Sequence, residues 1–275
     1  MSTINPAMSA ALRTTTKAFE AEQMPPPLRV GLAEDQGEVR LSQQLRYRIF
    51  AGEHGARLHN TEAGVDSDRY DAHCEHLIVR RADTGEVVGS TRILTSKGAA
   101  RAGGFYSENE FDLSGILPLP GNAIEIGRTC IHPEYRSGAG IGMLWLGLAR
   151  FMEKKCVKFL FGCASIAMGD NGAQATAIMQ EARARHLSPA NLRVNPKLPL
   201  LPTQPAERAQ MPPLLKAYLR LGCWVAGEPC YDPDFDVADV FIMLDVANLN
   251  VRYHRHFVEG SLRRGMADPN LLLAA

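Results

Sequence analysis

Three stretches of this chain hold reactive side chains at spacings that catalysis could use. The first is Glu125-Ile126-Gly127-Arg128, within the run Ala123–His132, which alternates apolar and polar residues and reads as a central strand. A charge on such a strand is costly to bury unless it is paired or at work. On a regular strand Glu125 and Gly127 share one face, while Ile124, Ile126 and Arg128 share the other, unless a bulge re-aims them. A Glu125–Arg128 ion pair closing the sheet is the structural alternative. The second stretch is Pro133–Gly142, PEYRSGAGIG, whose Gly138, Gly140 and Gly142 open a helix. Glycines allow close backbone approach, and a helix start offers unpaired N–H groups and a positive dipole end. That suits the phosphate of a pantetheine arm or of coenzyme A, although a tight β–α connection accounts for the same glycines. The third is Asp66-Ser67-Asp68-Arg69-Tyr70-Asp71, with three carboxylates in six residues. It lacks the glycine and distal glutamate of a calcium loop, so a solvated acidic loop is the plain reading. Arg92, in the otherwise apolar run Val87–Leu94, needs an anionic partner that Asp68 or Asp71 could supply.

The elements that must carry these residues follow from periodicity and turn chemistry. Residues 1–27, rich in Ala, Ser, Thr and Gln and ending in Pro25-Pro26-Pro27, read as a poorly ordered arm. Leu28–Ala33 reads as a strand, and Asp35 caps a helix running to about Phe50. A long loop spans 51–72. Glu75–Ala82 and Glu86–Leu94 form a hairpin across Asp83-Thr84-Gly85. A second irregular stretch covers 95–121. After the central strand come a helix from about Ile141 to Lys155, a strand Phe159–Ile166, and a helix capped by Asp170 or Asn171 and ending near His186. Seven prolines mark 188–213 as a connector or flap. Pro213–Leu221 is helical, Asp239–Val246 is a last buried strand, and 249–258 reads as a short terminal helix. The order is an α/β sandwich on a mixed sheet, not a doubly wound dinucleotide fold. One domain is expected over 28–258, with the Pro-rich insertion inside it and a tail at 259–275.

Composition narrows the function classes. Thirty basic residues balance thirty acidic ones, so no global field attracts nucleic acid. The six cysteines form no C-x-x-C pair, and most lie in apolar runs, as reduced core thiols do. His73-Cys74-Glu75-His76 alternates across a strand and cannot converge on one ion, so no metal is expected. No run reaches the ~18 apolar residues of a membrane span, and no export signal opens the chain. A cytoplasmic protein is expected. Peripheral contact with the inner membrane stays open, with Arg252, His254, Arg255 and His256 as candidates for anionic lipid.

Taken together the motifs carry a family resemblance. Arg46 and Phe50 lie four apart on the first helix, Asp68 and Asp71 fall in D-R-Y-D, Arg92 in G-S-T-R-I-L, and Glu125 and Arg128 in E-I-G-R. This set resembles the acyl-homoserine lactone synthases, which place a tryptophan after the first helix where this chain has Ala56 and its neighbours. It is more similar to the ornithine lipid-type, haemolysin-like N-acyltransferases. That likeness extends to EIGRTCIHPEYR at 125–136, PPLLKAYLRLG at 212–222, FDVADVFIML at 235–244 and R-Y-x-x-H-F at 252–257. The resemblance implies a GNAT-like fold that moves a (3-hydroxy) fatty acyl group from acyl carrier protein to the α-amino group of ornithine. The product is a lyso-ornithine lipid, and no permanently bound cofactor is implied. In the usual GNAT loop, Q/R-x-x-G-x-G/A, Gly140 and Gly142 fit, whereas Ser137 takes the first place and Arg136 comes one residue early. That departure suits carrier protein as donor, with acyl-CoA as the alternative.

Amide formation from a thioester needs a neutral amine and a stabilised oxyanion. Glu125 is the candidate base, and a backbone N–H near Thr129–Ile131 is the candidate oxyanion donor. Arg136, Gly138, Gly140 and Gly142 are expected to face the donor phosphate. Asp68 and Asp71 are expected to help hold a cationic amino acid, with Arg46 and Phe50 beside them. Arg92 and Arg128 would order that loop or bind the substrate carboxylate. Direct transfer needs no cysteine, which leaves Cys130 as packing. Arg150, Lys154, Lys155 and Lys158 form either a dock for the acidic carrier protein or a solvated helix face. A coenzyme A-dependent acetyltransferase and a non-catalytic acyl-binding module are the rival readings.

Overall fold

Alternation along the strands builds the layers. The structure, a computed structural model, describes residues 27–58, 62–136 and 138–249. On β2 (Glu75–Arg81), Leu77 and Val79 enter one core while Ile78 enters another on the opposite face. On β10 (Val237–Asp245), Val240, Ile242 and Leu244 alternate in the same way with Phe241 and Met243. Both faces of the sheet are therefore covered. The other strands are β1 (Leu28–Leu32), β3 (Val87–Thr95), β4 (Phe111–Asp112), β5 (Asn122–Ile131), β6 (Val157–Ala167), β7 (Asn195–Pro196), β8 (Trp224–Val225) and β9 (Cys230–Asp232). The main sheet runs β1-β2-β3-β5-β6-β10-β8, with β9 also paired to β10, while β4 and β7 form a separate ladder.

One face carries α3 (Ala139–Lys154), α4 (Ala173–His186) and α5 (Pro213–Leu221). Their Met143, Trp145, Ile178, Leu215 and Tyr218 pack on the sheet, with Trp145 edge-on to Tyr218 at 5.3 Å. The other face carries α1 (Gln36–Tyr47), loop residues 62–74, and residues 96–119, which include a short helix, α2 (Ser96–Ala102). Asp35 caps α1 by accepting the Glu38 N–H at 2.9 Å. At α4 the cap residue is Gly172, and the Asp170 carboxylate accepts the N–H groups of Gly172 and Gln174 at 3.1 and 2.7 Å. Five short elements, α2, β4, β7, β8 and β9, escape a reading by periodicity because none is long enough to show a period. All of the expected helix at 249–258 but its first residue, the C-terminal tail and nearly all of the N-terminal arm lie outside the described residues.

The feature that creates space lies at β5 and β6, a parallel pair flanked by antiparallel ones. Their ladder runs only from Asn122 to Glu125 against Val157 to Phe161. Beyond it β5 follows β3, while β6 follows β10 as far as Ala167. A wedge opens between them. Gly162 sits at its root, where a Cβ would run into the Ile126 carbonyl oxygen.

Candidate active site

The site begins with a bulge. Ser90 faces Cys130 and Arg92 faces Gly127, so Thr91 alone opposes both Arg128 and Thr129. The extra residue is Arg128, at φ +51°. Ile124 and Ile126 point into the core under α3, and past the bulge Ile131 does so again, while Cys130 joins the core beneath α1. Without the bulge Arg128 would enter that apolar layer. With it, the guanidinium turns to the side of Glu125. There it lies over the rings of Tyr106 and Phe235, 5.1 and 4.8 Å from their centroids. The Glu125–Arg128 ion pair considered from sequence does not form. Arg128 faces Asp66 and Asp68, its Nε 3.3 Å from Asp66 Oδ2 and its Nη2 3.6 Å from Asp68 Oδ2.

Three arginines and three aspartates form one buried network. Arg46, fully buried on α1, donates from Nε to Asp66 Oδ2 at 2.8 Å and from Nη1 to Asp71 Oδ1 at 2.7 Å. Arg92 donates from Nη1 to Asp68 Oδ1 at 2.6 Å and to Asp71 Oδ2 at 3.0 Å. Burial alone would raise the pKa of Asp71, but the Arg46 and Arg92 guanidiniums outweigh it and hold the carboxyl well below the usual range. The acidic loop is therefore not solvated. Both Asp68 and Asp71 partner Arg92, and their charge fixes the loop to the sheet rather than lying free for a cationic substrate. Neither lines the cavity described next, and Arg46 does not either.

A cavity of about 590 Å³ fills the wedge between β5 and β6. Polar lining comes from Arg92, Tyr106, Glu110, Glu125, Arg128 and Asp239, and apolar lining from residues such as Phe50, Ile126, Leu214 and Phe235. Phe50 belongs to a π-helical turn, Arg48–Glu53, that extends α1, and its ring meets Phe235 edge-on at 5.9 Å. Glu125 is buried. Its Oε2 accepts the Tyr106 N–H at 2.6 Å, and its Oε1 accepts the Ser107 N–H at 2.7 Å and the Ser107 hydroxyl. Burial pushes its pKa up against those donors and against Arg92. Oε2 accepts one bond and keeps acceptor capacity, on a fixed carboxylate that lines the cavity.

Sequence reasoning passed over a second acidic group. Glu110, Asp232 and Asp239 all line the cavity, and each has a carboxylate oxygen within 4.8 Å of the others. Asp239 Oδ1 accepts the Ser165 hydroxyl at 2.6 Å, and Asp232 Oδ1 accepts the Asp234 and Phe235 N–H groups at 2.8 and 3.2 Å. Glu110 Oε2 is buried with no hydrogen-bond partner among the described residues. Burial and the neighbouring Asp239 push the Glu110 carboxyl well up, and burial brings Asp239 to about 6. Asp239 stands on a strand as apolar as that of Arg92, which is the signal that could have found it. Glu110 lies in an aperiodic stretch and carries no such signal.

The remaining expected residues lie elsewhere. Thr129 lines the cavity, but Ile131, Arg136, Gly138, Gly140 and Gly142 do not. Arg136 donates from Nε to the Ile131 carbonyl at 2.9 Å and forks onto the Glu53 carboxylate. Gly138, at φ +105°, is the N-cap of α3, and a Cβ on Gly140 would sit 2.8 Å from Tyr135 O, so this glycine serves close helix–strand packing. Lys154, Lys155 and Lys158 stand at the far end of α3, about 24 Å from the turn at 1.5 Å per residue. Arg150 lies nearer, on the last turns of α3, so the four basic residues flank the end of that helix away from the glycine turn. Burial pushes the Cys130 thiol up to about 12, and it does not line the cavity. No helix among the described residues is long and apolar enough to cross a membrane.

Comparison with known proteins adds to this geometry. Residues 45–146 match the family model described as an acetyltransferase (GNAT) domain. An L-ornithine N(alpha)-acyltransferase of Brucella abortus (strain 2308) is 32% identical over 250 residues, which is 84% of this chain and 88% of that protein. One of Rhodobacter capsulatus is 33% identical over 246 residues, 83% of this chain and 93% of that protein. Among solved structures, the CoA-dependent acyl-homoserine lactone synthase BjaI with MTA shares the fold at a TM-score of 0.52 and 13% identity. That match covers 89% of this chain and 94% of BjaI.

Proposed function

The chain belongs to the L-ornithine N(alpha)-acyltransferase family, and from that membership we propose that it transfers a fatty acyl group from the thioester of acyl carrier protein to the α-amino group of ornithine. It is an acyltransferase with a GNAT domain. The observation that carries the finer reading is the likeness to proteins of that name along 84% of the chain.

The geometry is compatible with each step. The α-ammonium must lose a proton before it can attack, and Glu125, buried on the cavity wall with its pKa raised, is the group that accepts it. The neutral amine adds to the thioester carbonyl, the tetrahedral oxyanion collapses, the C–S bond breaks as the amide forms, and the thiol leaves with a proton. Past Glu125, β5 has no strand on its β6 side among the described residues, so backbone groups of Gly127–Thr129 edge the wedge where that oxyanion would form. Arg128, aimed into the cavity by the bulge, suits the acceptor carboxylate. Leu214, Leu215 and Ile126 supply apolar wall for the acyl chain. The high pKa of Cys130 and its place outside the cavity favour direct transfer over an acyl-cysteine route.

The test offers the purified protein ornithine with a long-chain acyl carrier protein, a long-chain acyl-CoA or acetyl-CoA, and identifies products by mass spectrometry. N-acyl-ornithine from the carrier-bound donor is the expected result. Product from long-chain acyl-CoA alone would overturn the donor, and acetylation alone would overturn the fatty acyl reading.

A further inference from the structure

Three cavity carboxylates, two buried and one half-buried, have no part in the steps above. Glu110, Asp232 and Asp239 come from three separate segments, the turn before β4, strand β9 and strand β10, and the fold brings them together on one cavity wall. Two anchors position them. Ser165 on β6 holds Asp239, and the N–H groups of Asp234 and Phe235 hold Asp232. Glu110 is nine-tenths buried, its carboxylate lies within 4.8 Å of the other two on the cavity wall, and its Oε2 has no hydrogen-bond partner among the described residues. None of the three is ion-paired among the described residues. Arg128, the cation whose charge reaches Asp239, is held by Asp66 and Asp68.

Charge counting gives the network and this group opposite characters. Arg46, Arg92 and Arg128 balance Asp66, Asp68 and Asp71. The second group holds three carboxylates with no ion pair among the described residues, so a cation entering it would find unmatched negative charge. The spacing indicates the kind of cation. Three acceptors about 2.8 Å from one nitrogen at tetrahedral angles lie roughly 4.6 Å apart, inside the 4.8 Å limit of this cluster. A primary ammonium carries three N–H donors, one for each carboxylate.

We propose that Glu110, Asp232 and Asp239 receive the distal ammonium of the acceptor and so select diamino acids over neutral amino acids of equal length. This rests on the reading that the acceptor is an amino acid whose carboxylate meets Arg128. Glu125, Arg128, Glu110 and Asp239 line one cavity of about 590 Å³, so one small molecule can reach the base, the carboxylate anchor and the ammonium pocket.

The experiment compares ornithine with norvaline, which has the same five-carbon chain and no terminal amine, in the wild type, Glu110→Gln and Asp239→Asn. The wild type is expected to favour ornithine in kcat/KM by 10²-fold or more, on the order of what an unpaired polar pocket imposes. Each isosteric variant should lose most of that ratio through a fall in kcat/KM for ornithine. A ratio unchanged in both variants, with melting temperatures near wild type, would overturn the proposal. If the wild type acylates no amino acid, the reading of the acceptor fails, and thermal shift decides the pocket by itself. Stabilisation by 1,4-diaminobutane that Glu110→Gln abolishes supports it. Stabilisation by Ca²⁺ or Mn²⁺ with none by the diamine, or by neither, refutes it.

Discussion

Replacing Asp71 with Asn tests whether the loop over the sheet is held by charge. The Asp71 carboxylate accepts from Arg46 Nη1 at 2.7 Å, Arg46 Nη2 at 3.1 Å, Arg92 Nη1 at 3.0 Å and the Asp68 N–H at 2.8 Å. Asn keeps the shape but loses the charge and turns an N–H₂ toward donors. Two guanidiniums, 0% and 4% exposed, are then left short of an anion. Breaking one partner out of a buried pair costs about 3–5 kcal/mol. Two charge-assisted bonds at about 1.5–3 kcal/mol each lead to the same range. At about 2–4 °C per kcal/mol for a chain of this size, a loss of about 4 kcal/mol lowers Tm by about 8–16 °C. The pH dependence has a definite sign. A carboxyl whose pKa is lower in the folded than in the unfolded state stabilises above its unfolded value, near 3.9, and that stability disappears as pH falls. Thermal melts of wild type and Asp71→Asn at pH 7 and at acid pH measure both effects. The exposed pair Arg183–Glu228 is the control, and Glu228→Gln should move Tm by under about 2 °C. An Asp71→Asn Tm within 2 °C of wild type at pH 7 would refute the reasoning.

Glu125→Gln should reduce kcat by about 10²–10³ with little change in the KM for ornithine. Because burial raises the pKa of Glu125 and a base must be ionised, wild-type kcat should fall with decreasing pH before the ordinary carboxylate range is reached, and the variant should lack that limb. A variant with wild-type kcat and pH profile would remove Glu125 from the chemistry. Cys130→Ala should keep turnover within about twofold, with no acyl-enzyme in intact-protein mass spectra; loss of turnover would restore the covalent route. Gly162→Ala should wedge the root of the β5–β6 opening against the Ile126 carbonyl, costing about 1–3 kcal/mol in a thermal melt and altering kcat together with it. An unchanged melt and rate would mean that the strands part for another reason.

Long periodic segments were legible one residue at a time. The apolar run Leu77-Ile78-Val79 before a turn signal marks a buried strand, and Asp35 before an apolar-striped run marks a helix start, so β2, β3, β5, β6, β10 and the longer helices follow from local physics. The need of Arg92 for an anion was equally local, because a cation amid apolar neighbours must be paired wherever the chain folds. What the sequence could not decide was direction and company. A single extra residue at Arg128 reverses which face every later side chain takes, and a bulge is set by how β3 and β5 pair, not by composition. The sequence offered Asp68 or Asp71 to Arg92, but not the convergence of Arg46 and Arg128 on the same loop, because those arginines come from α1 and β5, up to 62 positions away (128 minus 66). Glu110, Asp232 and Asp239 span 129 positions (239 minus 110) and meet only because β6, β9 and β10 assemble around one gap. Local periodicity fixes an element from its own residues, whereas a cavity is made by the parting of two strands and exists only once the sheet has formed.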